Sequence, residues 1–354
     1  MHNENQKPII GISLGDANGI GPEVIIKALA DARMLEYCTP VIYGSLSVIN
    51  YHRKTMEGVA FNANQIREVK EAHPNRINLI NCWQETIRIT LGTASEETGR
   101  YALMSLEAMM ADAREGKLDA IIIAPIDKAT IQSDTFKFAG HTEYITQALG
   151  KEDSLMFLHG EHFKLAVATG HIPLKEVAEK ITSELIYKKI KLMHQSLKVD
   201  FNIRKPKIAV LGLNPHAGDN GLLGTEDIDI IAPAIARAKK EDLIVFGPYP
   251  ADGYFGAHTY HQFDGTLAMY HDQGLIPFKF ANFETGVNFT AGLPVVRTSP
   301  DHGTAYNIAG KNEANEQSFR EAIYLACDIV KNRRMQIEVT KNPLKSQLVK
   351  EKEY

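Results

Sequence analysis

Residues 118–126 read LDAIIIAPI, an unbroken apolar run through its centre. A strand with one wet face alternates apolar and polar residues, whereas a strand covered on both faces does not. This stretch therefore predicts an inner strand of a sheet with helices on either side. The same pattern recurs outward from it. KPIIGISLGDANGIGPEVIIKALADA (7–32) reads as strand, Gly-rich turn and amphipathic helix, and TPVIYGSL (39–46) and RINLINCW (76–83) as further strands. Residues 94–115 carry a helical apolar stripe of Ala102, Leu103, Leu106, Met109, Met110 and Ala113. Strands alternating with helices give an α/β class.

Composition bounds the possibilities. The chain has 354 residues, 44% hydrophobic and 23% charged, with a net charge of -4. That fits a globular α/β protein and excludes a basic nucleic-acid binder. No apolar stretch approaches the ~20 residues of a membrane span. The N-terminus MHNENQKPII lacks a signal-peptide core, and three dispersed cysteines, Cys38, Cys82 and Cys327, fit a reducing cytoplasm.

Polar residues gather where strands end. Asp127 and Lys128 follow LDAIIIAPI, and AGHTEY (139–144) lies just beyond. His141 and Thr142 are suited to a phosphate or carboxylate, and Thr142 more readily to capping the helix that follows. The Gly15-Asp16-Ala17-Asn18-Gly19-Ile20-Gly21 turn matches neither the dinucleotide fingerprint nor a P-loop, and reads equally as a tight turn or an anion loop. LMFLHGEHFKLAVATGH (155–171) reads as strand, turn and strand, with His159 and His162 placed on the surface and His171 on a constrained bend before Pro173. PKIAVLGLNPHAG (206–218) ends another strand at His216, and His194 is read as a surface or boundary position on a helix.

The densest chemistry lies in DGTLAMYHDQGLIPFKF (264–280) and ETGVNFTAGLPVVRTSPDHGTAYNIAG (284–310). Here His271, Asp272, Lys279, Asn288, Arg297, Asp301 and His302 are interleaved with glycines. Such a set suggests an anionic substrate, a metal and a nucleotide. Three histidines, His171, His216 and His271, each follow a short strand or turn. Three imidazoles with an open position describe a catalytic metal site. The closing segment, 316–331, reads as a helix, with a peripheral charged tail after Arg333.

Taken in order, AGHTEY, LNPHAG, MYHDQGLIPFK and GVNFTAGLPVVRTSPDHGTA resemble the 4-hydroxythreonine-4-phosphate dehydrogenase family of pyridoxal phosphate biosynthesis, over nearly the whole chain. The resemblance implies an isocitrate/isopropylmalate dehydrogenase-like α/β fold. Residues 1–354 would form one dehydrogenase unit of two interleaved α/β subdomains with a cleft between them. It implies a cytoplasmic homodimer that oxidises 4-hydroxythreonine 4-phosphate to the 3-oxo acid and decarboxylates it to 3-amino-2-oxopropyl phosphate. NAD is the expected cofactor, with NADP possible, beside one divalent metal such as zinc, magnesium, cobalt or manganese.

Carried over by motif, His171, His216 and His271 are the metal ligands, His171 from one subunit and the other two from its neighbour. His141, Thr142, Lys279, Asn288 and Arg297 hold substrate. The stretch from Gly303 to Ala314, with Thr304, Asn307 and Gly310, faces the cofactor. Asp252, Asp272 and Lys279 are the candidates for proton transfer or ligand orientation. The chain departs from the family pattern at Ala17, Asp219, Asn307 and Asn312, and the two asparagines bear on the choice between NAD and NADP. Dehydrogenases of 4-phospho-threonate or 4-phospho-erythronate are the alternative within the reaction class. A three-histidine metallohydrolase and a non-catalytic phosphosugar-binding protein are the alternatives outside it.

Overall fold

The computed structural model describes residues 7–131 and 141–341, without the side chains of His141 and Thr142. Its twelve strands are β1 (Ile9–Ser13), β2 (Thr39–Gly44), β3 (Ala63–Ile66), β4 (Ile77–Asn81), β5 (Ala120–Ile123), β6 (Leu155–His159), β7 (Lys164–Val167), β8 (Lys207–Leu211), β9 (Ile244–Tyr249), β10 (Gly265–Ala268), β11 (Val287–Ala291) and β12 (Val296–Pro300). They form a single sheet in the order β3-β4-β2-β1-β5-β12-β11-β6-β7-β10-β8-β9. The fold class is α/β, as the alternation of elements predicts.

β5 is the inner strand that LDAIIIAPI announces. It pairs in parallel with β1 and with β12, and all four of its residues are buried. Ala120 and Ile122 enter one apolar cluster with Ile10 and Ile12, while Ile121 and Ile123 enter another with Val41 and Tyr43. Two faces are thus covered, so the strand needs apolar residues at every position. The helix Glu96–Arg114 lies within residues 94–115 and packs Met109 and Met110 into the second cluster.

The sheet has two parallel blocks. β3, β4, β2, β1, β5 and β12 form one, and β7, β10, β8 and β9 the other. β11 and β6 pair antiparallel with each other and with their outer neighbours, joining the blocks. The chain leaves the first block after β5 and returns to it only with β12, by way of the joining strand β11. Residues far apart in sequence therefore meet at the junction.

Two expectations are corrected here. His159 is not a surface residue: its ring packs tilted against that of Phe201 with centroids 5.4 Å apart, and burial, with Lys164 nearby, pushes its imidazole down to about 4. The last helix runs from Gln317 to Lys341 rather than ending near residue 331. The start of the expected tail is anchored, because Arg334 pairs with Asp119 at 2.7 Å, just after Arg333 pairs with Asp200 at 2.6 Å. His194 lies at the boundary, as read.

Candidate active site

Where the blocks join, a cavity of about 290 Å³ opens between the ends of β5 and β12 and the segments after β7 and β10. Arg297, Asn288, Lys279, His171 and His271 all line it. Five residues picked from distant motifs thus converge on one space.

Arg297 forms its floor. On β12, side chains alternate between faces, so Arg297 and Ser299 share one face, and Asn288 of β11 sits opposite Ser299 in the register. The guanidinium donates through Nη1 to Asn288 Oδ1 (2.9 Å) and Thr290 Oγ1 (3.2 Å). Its Nε is buried without a partner, and the residue is only 3% exposed. Burial pushes its pKa down to about 10, which leaves it charged at neutral pH. Among the described residues no carboxylate forms an ion pair with it. A buried cation held by neutral groups alone is costly unless an anion completes it.

Lys279 stands on the helix His271–Asn282. Its Nζ donates to the Asp301 carbonyl (3.0 Å) and lies 3.3 Å from the Asp301 carboxylate. Burial raises the Asp301 carboxyl above its ordinary range, against the pull of Lys279. The neighbouring His302 is pushed down by burial, and its Nε2 has no partner.

His171 follows β7 and His271 follows β10, two adjacent parallel strands whose ends are pinned together. Thr169 donates to the Met269 carbonyl through both its backbone N–H (3.1 Å) and its hydroxyl (2.8 Å). The two imidazoles come to 5.6 Å between centroids. Asp272 Oδ1 lies 2.7 Å from His271 Nδ1, which directs Nε2 of His271 away from Asp272. Glu143 Oε1 lies 3.7 Å from His171 Nδ1, and the imidazole holds the Glu143 carboxyl below its usual range.

Other expected residues are placed differently. His216 is exposed and does not line this cavity; it lies in a left-handed turn after β8 that Asp227 braces through the N–H groups of Leu213 and Asn214. Among the described residues, no three His, Cys, Asp or Glu side chains are grouped to hold a metal. His171 and His271, by contrast, approach each other within one chain. Asp252 is exposed on the short helix Ala251–Gly256, outside the cavity. Asp272 is 72% exposed and acts on His271. The side chains of His141 and Thr142 lie outside the described residues.

Of the expected cofactor residues, Gly303 lines the cavity and has open space beside its Cα. Asn307 is exposed, and Gly310 has φ +75°. The Thr304 carbonyl accepts from Ile20 N–H (3.0 Å), and the buried Ala314 donates its N–H to Glu23 (3.0 Å). The Gly15–Gly21 turn packs against this segment, so it is filled by protein. Glu143 and Ser299 escaped the sequence reading. The two-residue step from Arg297 was the available signal for Ser299. None marked Glu143, whose approach to His171 depends on the fold.

Residues 36–326 match the family described as Pyridoxal phosphate biosynthetic protein PdxA. A 4-hydroxythreonine-4-phosphate dehydrogenase of Bacteroides thetaiotaomicron is 51% identical over 97% of this chain and 94% of its own length. A putative D-threonate 4-phosphate dehydrogenase of Oceanobacillus iheyensis is 38% identical over 92% of this chain and 98% of its own. The crystal structure of a 4-hydroxythreonine-4-phosphate dehydrogenase from Klebsiella pneumoniae superposes with a TM-score of 0.79 at 34% identity, covering 92% of this chain and 100% of that one. Identity and coverage of this extent leave one assignment: the chain belongs to the PdxA family of pyridoxal phosphate biosynthetic proteins.

Proposed function

We propose that this chain is an NAD-linked dehydrogenase that oxidises the secondary alcohol of 4-hydroxythreonine 4-phosphate and then releases the carboxyl group as carbon dioxide. The observation that carries this reading is Arg297, a buried cation with an unpartnered Nε on the floor of the cavity. Arg297 and Asn288 bind one anionic end of the substrate, and a charged, forked donor suits either a phosphate or a carboxylate. Lys279 and Asp301 stand at the adjacent wall, where a cation–carboxylate pair hands protons to and from the reacting oxygen. In the oxidation a hydride passes to the nicotinamide and the hydroxyl proton to the protein. In the decarboxylation the bond to the carboxyl carbon breaks and a proton replaces it.

His171 and His271 fit a divalent ion. Their rings converge, and Asp272 occupies the Nδ1 side of His271, the usual arrangement behind a liganding imidazole. Bound there, such an ion supplies Lewis acidity to the alcohol and the carbonyl that it becomes. Two imidazoles leave the set short of a third, and His216 of the partner subunit completes it in a two-fold dimer. Exposed Ile276 and Phe280 on the helix that begins with His271, with Phe283 just after it, support such a dimer, as do exposed Leu222, Leu223 and Ile228 near His216. Each half of the sheet then acts as one wall of the cleft, and no described helix is long and apolar enough to cross a membrane.

The test is nicotinamide absorbance on adding substrate. Four-carbon 4-phosphates bearing an amino or a hydroxyl group at the second carbon are each run with NAD and NADP. Reduction of NAD fastest with the amino substrate supports the proposal. Faster reduction with threonate 4-phosphate would favour the function named for the Oceanobacillus relative.

A further inference from the structure

Asp16 is wholly buried, yet its described partners are all uncharged. Its carboxylate accepts from the Asn18 N–H (2.8 Å) and from the Tyr306 hydroxyl (2.7 Å), and its own N–H donates to the Pro125 carbonyl (3.0 Å). Pro125 lines one wall of the active-site cavity, and Asp301, His302 and Gly303, just before Tyr306, line another. One residue therefore grips two walls.

The surroundings make that grip close and stiff. A Cβ on Gly15 would stand 2.5 Å from the Pro125 carbonyl, and one on Gly19 would stand 2.8 Å from the Thr304 carbonyl. Only glycine permits either approach. Ala17 is held by His52 Nε2 at 2.8 Å from its carbonyl. Asn18 clamps the segment beneath Tyr306, accepting from Thr90 N–H (2.7 Å) and donating to the Thr93 carbonyl (2.8 Å). An asparagine would make the same turn without burying a charge. What the carboxylate adds is a stronger, charge-assisted bond to Tyr306.

We propose that Asp16 is a positioning residue that, through Tyr306, holds the Gly303–Tyr306 segment at the spacing from Pro125 at which the nicotinamide cofactor is gripped. This rests on the assignment of residues 303–314 to the cofactor. Tyr306→Phe removes the hydroxyl and little else, and Asp16→Asn removes the charge. Both variants should bind the dinucleotide about tenfold more weakly by calorimetry and raise its KM alike, with kcat held within about twofold. The melting temperature should fall by no more than about 5 °C. Because both act on one bond, the double variant should lose no more than the worse single variant. Unchanged dinucleotide affinity in folded Tyr306→Phe would overturn the proposal, whether or not Asp16→Asn folds. Additive losses, or a kcat that falls in step with stability, would also overturn it. A wild-type chain that oxidises substrate but shows no dinucleotide contact at 303–314, by protection from hydrogen exchange, would instead sink the cofactor assignment beneath it.

Discussion

His171 and His271 face each other at 5.6 Å across the ends of two adjacent parallel strands. Imidazoles so placed, one of them backed by a carboxylate, would make a two-coordinate half-site for a divalent ion. Chelation is accordingly expected to abolish hydride transfer, and added zinc, cobalt, manganese or magnesium to restore it to different extents. His271→Ala should lose bound metal by elemental analysis as well as activity. Full activity in rigorously metal-free protein would contradict this assignment.

Arg297 offers a test that separates substrate binding from architecture. Arg297→Met keeps most of the volume and removes the buried charge. If the guanidinium waits for substrate, the variant should be about as stable as the parent or more so, since an uncompensated buried charge is lost. Its substrate affinity should fall roughly tenfold to hundredfold, as for loss of a charge-assisted contact. Thermal melts and KM measured together decide it, and a destabilised variant with normal KM would mark Arg297 as structural.

Acid stability should report on His159. Burial holds its imidazole at about 4 in the fold, against an ordinary value of 6.5. Between those values the unfolded chain binds a proton that the folded chain does not. Stability therefore falls as pH drops from about 6.5 towards 4 and is independent of this group above that window. His159→Leu should flatten the melting-temperature profile across that range. An unchanged slope would show that other groups govern acid unfolding.

These residues also show what sequence can and cannot convey. Ile121–Ile123 was legible as a two-sided strand because burial on both faces leaves no polar position. β11 and β12 were not, since Asn288, Arg297 and Ser299 interrupt their apolar pattern with groups that serve the cavity. The metal and substrate candidates were legible as motifs, and five of them do meet. Arg334 reads as part of a peripheral tail because its partner, Asp119, lies far away in sequence. His159 looked exposed for the same reason, its cover being Phe201. β10 pairs in parallel with both β7 and β8, so the approach of His171 rather than His216 to His271 depends on the turns after those strands, which no local spacing encodes.

Subunit mixing decides which histidines of each chain share a site. Three inactive variants, His171→Ala, His216→Ala and His271→Ala, are co-expressed in pairs, and mass spectrometry confirms mixed dimers. With His171 and His271 from one chain and His216 of the partner subunit, a mixed dimer of His216→Ala with either other variant has one intact site. Random mixing then returns about a quarter of wild-type activity. His171→Ala with His271→Ala damages both sites and should return none. Activity from that last pair, with none from His216→Ala plus His271→Ala, would contradict the account and restore the division in which His171 stands alone.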